Sequence, residues 1–144
     1  MTLTDVNIFI YAFRAESERH SEYRKWLEAH IAQAESFGYS DLVLSSFVRI
    51  VTNPRIFNKP TRLKDALDFT DAIRGQPNAF RISPEAGHWD SFRRLCLDSG
   101  ATGGLVPDAY LAALAIESGC EWITADGDFS RFPGLKWRHP LTPA

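Results

Sequence analysis

The sequence predicts an α/β fold, a three-layer α/β/α sandwich around a central parallel sheet. Short apolar, strand-like runs alternate with helical patterns along the chain. No repeat, low-complexity tract or composition break divides the 144 residues, so a single domain over residues 1–144 is expected. The most apolar helical stretch, Asp108 to Ser118, lacks a polar face, as a helix buried on several sides would.

The elements follow in order. Leu3 to Val6 is a short apolar start, and a helical pattern begins near Asn7. Ser21 to Gln33 reads as a helix with Ser21 as N-cap and Tyr23, Trp26, Leu27 and Ile31 near one face. Ser40 to Val51 is apolar and fits either state, but its tail FVRIVTNP is helical until Pro54 stops it. Thr61 to Arg74 is an amphipathic helix on Leu63, Leu67 and Ile73, with Gly75 as its stop. Ala79 to Ile82 is a strand candidate. Gly87 to Asp98 reads as a helix with Trp89, Phe92, Leu95 and Cys96 on its apolar side. Glu121 to Thr124 is the last strand candidate, and TADGDF follows it. In open parallel sheets, ligands bind at the carboxyl ends of the strands.

Composition narrows function only a little. Sixteen basic and 18 acidic residues leave a net charge of −2, which does not by itself mark a nucleic-acid binder. Yet Leu42 to Lys64 contains no acid and carries Arg49, Arg55, Lys59, Arg62 and Lys64. Alone this is a solvated face; beside a metal site it would hold phosphates. No apolar run approaches the roughly 20 residues of a membrane span, and MTLTDVNIFI lacks a basic leader and a cleavage site. A soluble, cytoplasmic protein with no membrane contact is expected. Cys96 and Cys120 form no framework or zinc spacing and read as small core residues. His20, His30, His88 and His139 show no paired metal spacing and read as surface or rim residues.

Three acids stand out. Asp5 lies inside LTDVNIFIYAF, where an unpaired charge is expensive to bury; it is also a natural N-cap for the helix that follows. Asp108 follows Pro107 at a helix start, where the helix dipole favours its charge. Asp126 and Asp128 flank a glycine after EWIT, a pattern equally at home in an ordinary turn. Each is explicable alone. Together, at strand and helix ends of one sheet, they form a hard-oxygen set suited to Mg2+ or Mn2+. Grouped carboxylates repel one another, and a divalent cation relieves that repulsion.

Read in order, these segments resemble the PIN-domain nucleases, and within them the VapC-type ribonuclease toxins of type II toxin–antitoxin systems. LTDVNIFIYAF is similar to the family's opening strand with its first acid and following Asn. FVRIVTNPRIF resembles a segment of one VapC subgroup. GLVPDAYLAALAIESGCEWITADGDFSRFPGL resembles the closing block, its most specific part. The resemblance runs from Asp5 to Leu135. It implies a PIN-like fold with Asp5, Asp108 and Asp126 as catalytic, metal-binding acids. It implies Asp128 as a more variable acidic position, and Asn7 and Thr124 as polar residues that orient acids or substrate. It further implies RNA cleavage by metal-activated water, Mg2+ with Mn2+ as substitute, a cognate VapB-type antitoxin and a homodimer. Arg49 and Arg55 are candidates for gripping the RNA backbone. One departure stands out. Many members carry a Glu in the helix that here reads LVLSSFVRI, where this chain has Ser45 and Ser46. Ser46 would support water rather than metal directly, which leaves a second ion in question.

Two other functions compete. The missing Glu suits a catalytically weakened PIN-like module that binds RNA or a protein. A phosphatase of the haloacid-dehalogenase type would want a second acid where DVNIF has Asn7.

Overall fold

The computed structural model describes residues 1–142. In chain order the elements are β1 (Thr2–Thr4), α1 (Val6–Phe13), α2 (His20–Ala32), β2 (Phe37–Tyr39), α3 (Asp41–Val51), α4 (Leu63–Arg74), β3 (Ala79–Arg81), α5 (His88–Ser99), α6 (Leu105–Ser118), β4 (Glu121–Ile123) and β5 (Trp137–Arg138). A single 3-10 turn, Gly127–Arg131, joins the last two strands.

The five strands are parallel and ordered β3-β2-β1-β4-β5. From β1 the chain steps outward twice, to β2 and β3, and then returns to the other side of β1 as β4. Right-handed crossovers put helices on both faces of such a sheet. Helices α1 to α4 pack among themselves, and α5 packs on α6. The result is the three-layer sandwich expected from the sequence. The order of strands reverses between β1 and β4, where Thr4 lies opposite Ile123.

Local chemistry explains the elements. Asp5 caps α1, its carboxylate accepting the Val6 N–H at 2.7 Å. Ser40 caps α3 by accepting from the Val43 N–H, which resolves the ambiguous Ser40–Val51 stretch as a helix. Helices α5 and α6 end on Gly100 and Gly119, both in the left-handed conformation. The core gathers Leu3, Ile8, Phe47, Trp122, Ile123 and Phe129 with the alanines of α6. Those alanines, Ala109, Ala112, Ala113 and Ala115, are all buried and carry no side-chain bulk to hold the helix away.

Several expectations need correction. Helix α6 starts at Leu105, not Asp108, and Pro107 sits inside the first turn, where it costs no backbone hydrogen bond. Arg19, in the left-handed region at φ 58°, occupies the N-cap position of α2 in place of Ser21. The buried stripe of α4 is Ala66, Thr70 and Ile73, and Leu63 and Leu67 face outward. Trp89 is 64% exposed, so it leaves the apolar side of α5, where Leu95 is buried. His30 and His88 are buried rather than at the rim. Each is satisfied: His30 Nε2 pairs with Thr2 Oγ1 at 2.8 Å, and His88 Nε2 with the Tyr110 carbonyl at 2.9 Å. Cys120 is buried, but Cys96 is only half-buried. Strands β2 and β5 were not anticipated; at three and two residues they carry almost no periodic signal. No helix among the described residues is long and apolar enough to cross a membrane.

Candidate active site at the carboxyl edge of the sheet

Asp5 is the residue immediately after β1, and Thr124 is the residue immediately after β4. Both therefore sit at the carboxyl ends of the two strands between which the strand order reverses, the place where open α/β sheets bind ligands. The Asp5 backbone N–H donates to the Ile123 carbonyl at 2.8 Å, which locks the two strand ends together.

Thr124 organises this edge. It is fully buried, and its hydroxyl donates to Asp5 Oδ2 at 2.7 Å. The same oxygen accepts the Asp126 N–H at 3.0 Å and the Asn7 side-chain amide at 3.4 Å. Asn7 Oδ1 in turn accepts the Ala125 N–H at 3.5 Å. Asp126 folds its own loop by accepting the Asp128 N–H at 2.9 Å. Each oxygen of Asp5 thus takes one hydrogen bond from the protein and keeps a second lone pair.

The charges of these acids act on one another. Asp5 is 6% exposed, and burial pushes its pKa up to about 6 against the pull of the Thr124 and Val6 hydrogen bonds; the charges of Asp108 and Asp126 add to the rise. Asp108, in the first turn of α6, is also pushed to about 6, by burial first and then by Asp126 and Asp128. The fold therefore brings Asp5 within electrostatic reach of Asp108 and Asp126, and Asp108 within reach of Asp126 and Asp128. Among the described residues, no three acidic, histidine or cysteine side chains close into a finished metal cage. Mg2+ commonly takes one or two carboxylates and fills the rest of its shell with water and phosphate, so an open set of mutually repelling acids fits that ion.

The remaining candidates separate. Asn7 and Thr124 lie in the acidic network. Ser46 is half-buried on α3, and Ser45 is exposed with its hydroxyl bonded to the Leu42 carbonyl at 2.9 Å. Asp41, the nearest acid to them in sequence, is engaged by Arg74 at 3.2 Å and Arg81 at 3.6 Å. Arg49 lies in the last turn of α3, about 12 Å along the axis from the start of that helix. Arg55 follows in a loop that Arg14 ties to the end of α1, through Thr61 Oγ1 and the Lys59 carbonyl, both at 3.0 Å. Both arginines are exposed, toward the far ends of α1 and α3 from the acids.

A second group of side chains, scattered in the sequence, lies beside the acids. Tyr11, Ser17, Glu18, Arg19, Tyr23 and His139 frame a pocket of about 430 Å³ that reaches Ala125. One signal was available: Tyr11 lies four residues after Asn7, on the same face of α1.

Comparison with known proteins matches residues 2–135 to the PIN domain family. The chain belongs to the PIN domain family. A VapC ribonuclease of Mycobacterium bovis is 44% identical over 141 residues, covering 98% of this chain and 96% of that protein. Ribonuclease VapC25 of Mycobacterium tuberculosis is 37% identical, covering 97% of this PIN domain chain and 99% of its own. Among solved structures, VapBC2 from Rickettsia felis, bound to a DNA fragment from its promoter, superposes with a TM-score of 0.68 at 19% identity, covering 96% and 97% of the two chains. Mycobacterium tuberculosis VapC20, described as a toxin that cleaves the sarcin–ricin loop, gives 0.64 at 16% identity, covering 94% and 99%. The PIN domain architecture and its place among VapC-type relatives follow from these likenesses.

Proposed function

We propose that this PIN domain, spanning residues 1–144, is a magnesium-dependent endoribonuclease and the toxin of a toxin–antitoxin pair. The observation that carries the reading is a buried carboxylate, Asp5, at the β1–β4 switch point, raised to about 6 beside the charges of Asp108 and Asp126. The full-length similarity to proteins named VapC ribonucleases supplies the substrate class.

Asp5, Asp108 and Asp126 are the acids that would hold Mg2+, or Mn2+ in its place. The chemistry the ion supplies in such sites is charge neutralisation and activation of a water for attack on a phosphodiester. Thr124 holds Asp5 in place and, with Val6, favours its ionised form. Asn7 fixes the loop that carries Asp126. Asp128 adds negative charge at the rim. Single-stranded or loop RNA suits an open edge, because its bases and backbone are accessible. Arg49 and Arg55 would hold more distant phosphates, and Ser46 would orient water. The partners that fit are a VapB-type antitoxin, as in the neighbouring VapBC structures, and a second copy of the chain. A cytoplasmic location accords with an RNA substrate.

Purified protein incubated with total RNA should give discrete products with Mg2+ and none with a chelator. Asp5→Asn or Asp126→Asn should cut the rate at least a hundredfold. Equal products from wild type and both variants would overturn the assignment. The second reading, an RNA- or protein-binding module with weakened catalysis, draws on Ser45 and Ser46 and on the open acidic set. RNA binding without any cleavage under excess Mn2+ would favour it.

A further inference from the structure

The pocket beside the acids has features that RNA cleavage at Asp5 and Asp126 does not explain. It reaches Ala125, the residue between Thr124 and Asp126. Asn7, bonded to Ala125 and Thr124, lies one helical turn before Tyr11 on the same face of α1, about 6 Å along the axis. His139 follows β5 at the same carboxyl edge, and the Thr124 N–H donates to the Arg138 carbonyl at 3.1 Å beside it. Tyr11, Tyr23 and His139 form a row of rings, with centroids 5.1 and 6.0 Å apart. Its volume falls within the roughly 300–1,000 Å³ typical of small-ligand pockets.

The hydrogen bonds give the pocket a polarity. The Leu141 N–H donates to His139 Nδ1 at 3.1 Å, so the neutral ring carries its hydrogen on Nε2. That hydrogen faces Tyr23 Oη at 3.2 Å, which makes the tyrosine oxygen the acceptor. The Tyr23 hydroxyl hydrogen is then free to donate elsewhere, and Tyr23, 5% exposed, lines the pocket. Tyr11 is half-buried, and its backbone carbonyl is held by His20 Nδ1 at 2.8 Å. Arg19, at φ 58°, holds a backbone conformation uncommon for a side chain of its kind. It stands at the rim with its guanidinium half exposed, bonded to Glu22 on one side.

We propose that this pocket is a nucleobase subsite. It takes the base next to the scissile phosphate, stacked on Tyr11 and hydrogen-bonded by the Tyr23 hydroxyl, with Arg19 facing the adjoining phosphate. The proposal rests on the ribonuclease reading and deepens it: part of the RNA selectivity lies in one built pocket beside the acids. Aromatic rings hold unpaired bases in this way, and a phenol hydroxyl offered to a base edge chooses among bases.

The test is base removal coupled to mutation. A short oligoribonucleotide containing a mapped cleavage site is compared with versions that are abasic on one or the other side of the cut. Wild type should lose roughly tenfold in kcat/KM on one abasic substrate, mostly through KM. Tyr11→Leu should cut the intact substrate roughly tenfold less efficiently and no longer distinguish it from the abasic one. Tyr11→Phe, which keeps the ring, should restore the distinction. Tyr23→Phe should keep the abasic penalty but flatten the preference among the four bases at that position. If Tyr11→Leu does not fold, the two phenylalanine variants still decide. Cleavage by wild type that ignores base removal on both sides, or a Tyr11→Leu that keeps the full penalty, overturns the subsite alone. No metal-dependent cleavage by wild type, with Asp126→Asn behaving the same, overturns the ribonuclease reading and the subsite with it.

Discussion

At the scale of single residues, Thr124 matters as much as the acids it serves. One buried hydroxyl donates to Asp5 and accepts from Asp126 and Asn7. Thr124→Val keeps the shape and removes all three bonds. Leaving such buried groups unpaired costs about 1–3 kcal/mol, and the variant should lose stability on that scale. Without its donor, Asp5 should ionise less readily, and the pH at which cleavage rises should move upward. Thr124→Ser should restore both. A pH–rate profile unchanged in Thr124→Val would show that the hydroxyl does not set the state of Asp5. The acids themselves are legible in the sequence, Asp5 as a charge inside an apolar run, Asp108 as an acid at a helix start and Asp126 as a turn acid after a strand. The subsite rings were not, because Tyr11, Tyr23 and His139 are far apart in the chain and each type is common in cores and at surfaces.

At the scale of elements, the sequence disclosed helices far better than strands. A helix of 11 to 14 residues repeats its apolar face several times, whereas FGY and WR are too short to show any period. Hydrophobicity alone points leucine inward, while α4 buries Ala66 and Thr70 beside Ile73 and leaves Leu63 and Leu67 outside. Strand β2 survives on a close approach that no periodicity reveals. A Cβ at Gly38 would lie 2.8 Å from Ile82 Cγ1 and 3.0 Å from the Thr2 carbonyl oxygen, across both neighbouring segments of the sheet. Gly38→Ala should therefore lower the urea midpoint, by about 1–3 kcal/mol of stability. An unchanged midpoint would mean that the strands part without cost.

At the scale of the whole molecule, the acidic edge is a source of instability built across the sheet. Asp5 and Asp108 hold their protons to about pH 6 in the fold, whereas free carboxyls release them near 4. The folded chain thus binds more protons between these values, and their contribution to stability falls as pH rises through that window. His30, lowered to about 4 by burial, runs the other way over an overlapping range. The comparison should therefore be between variants rather than between pH values. In a chelating buffer, Asp108→Asn should melt a few degrees above wild type at pH 7.5, and this gain should shrink as pH falls through the window and vanish below about pH 4. Added Mg2+ should raise the wild-type melting temperature more at pH 7.5 than at pH 5, and the Asp108→Asn temperature less. A gain that persists undiminished below pH 4 would locate the effect in packing instead of charge.

The pairing of β1 with β4 also has a consequence in time. Leu3 faces Trp122, so the first strand made waits for nearly the last. At about 5–20 residues per second, Asp5 precedes Asp126 by roughly 6 to 24 seconds of synthesis. For most of that interval a nascent chain carries Asp5 alone of the four acids, and Asp108 joins it only near the end. The acidic edge is thus among the last things the chain completes, and a truncated product ending before β4 would lack Asp126 and Asp128.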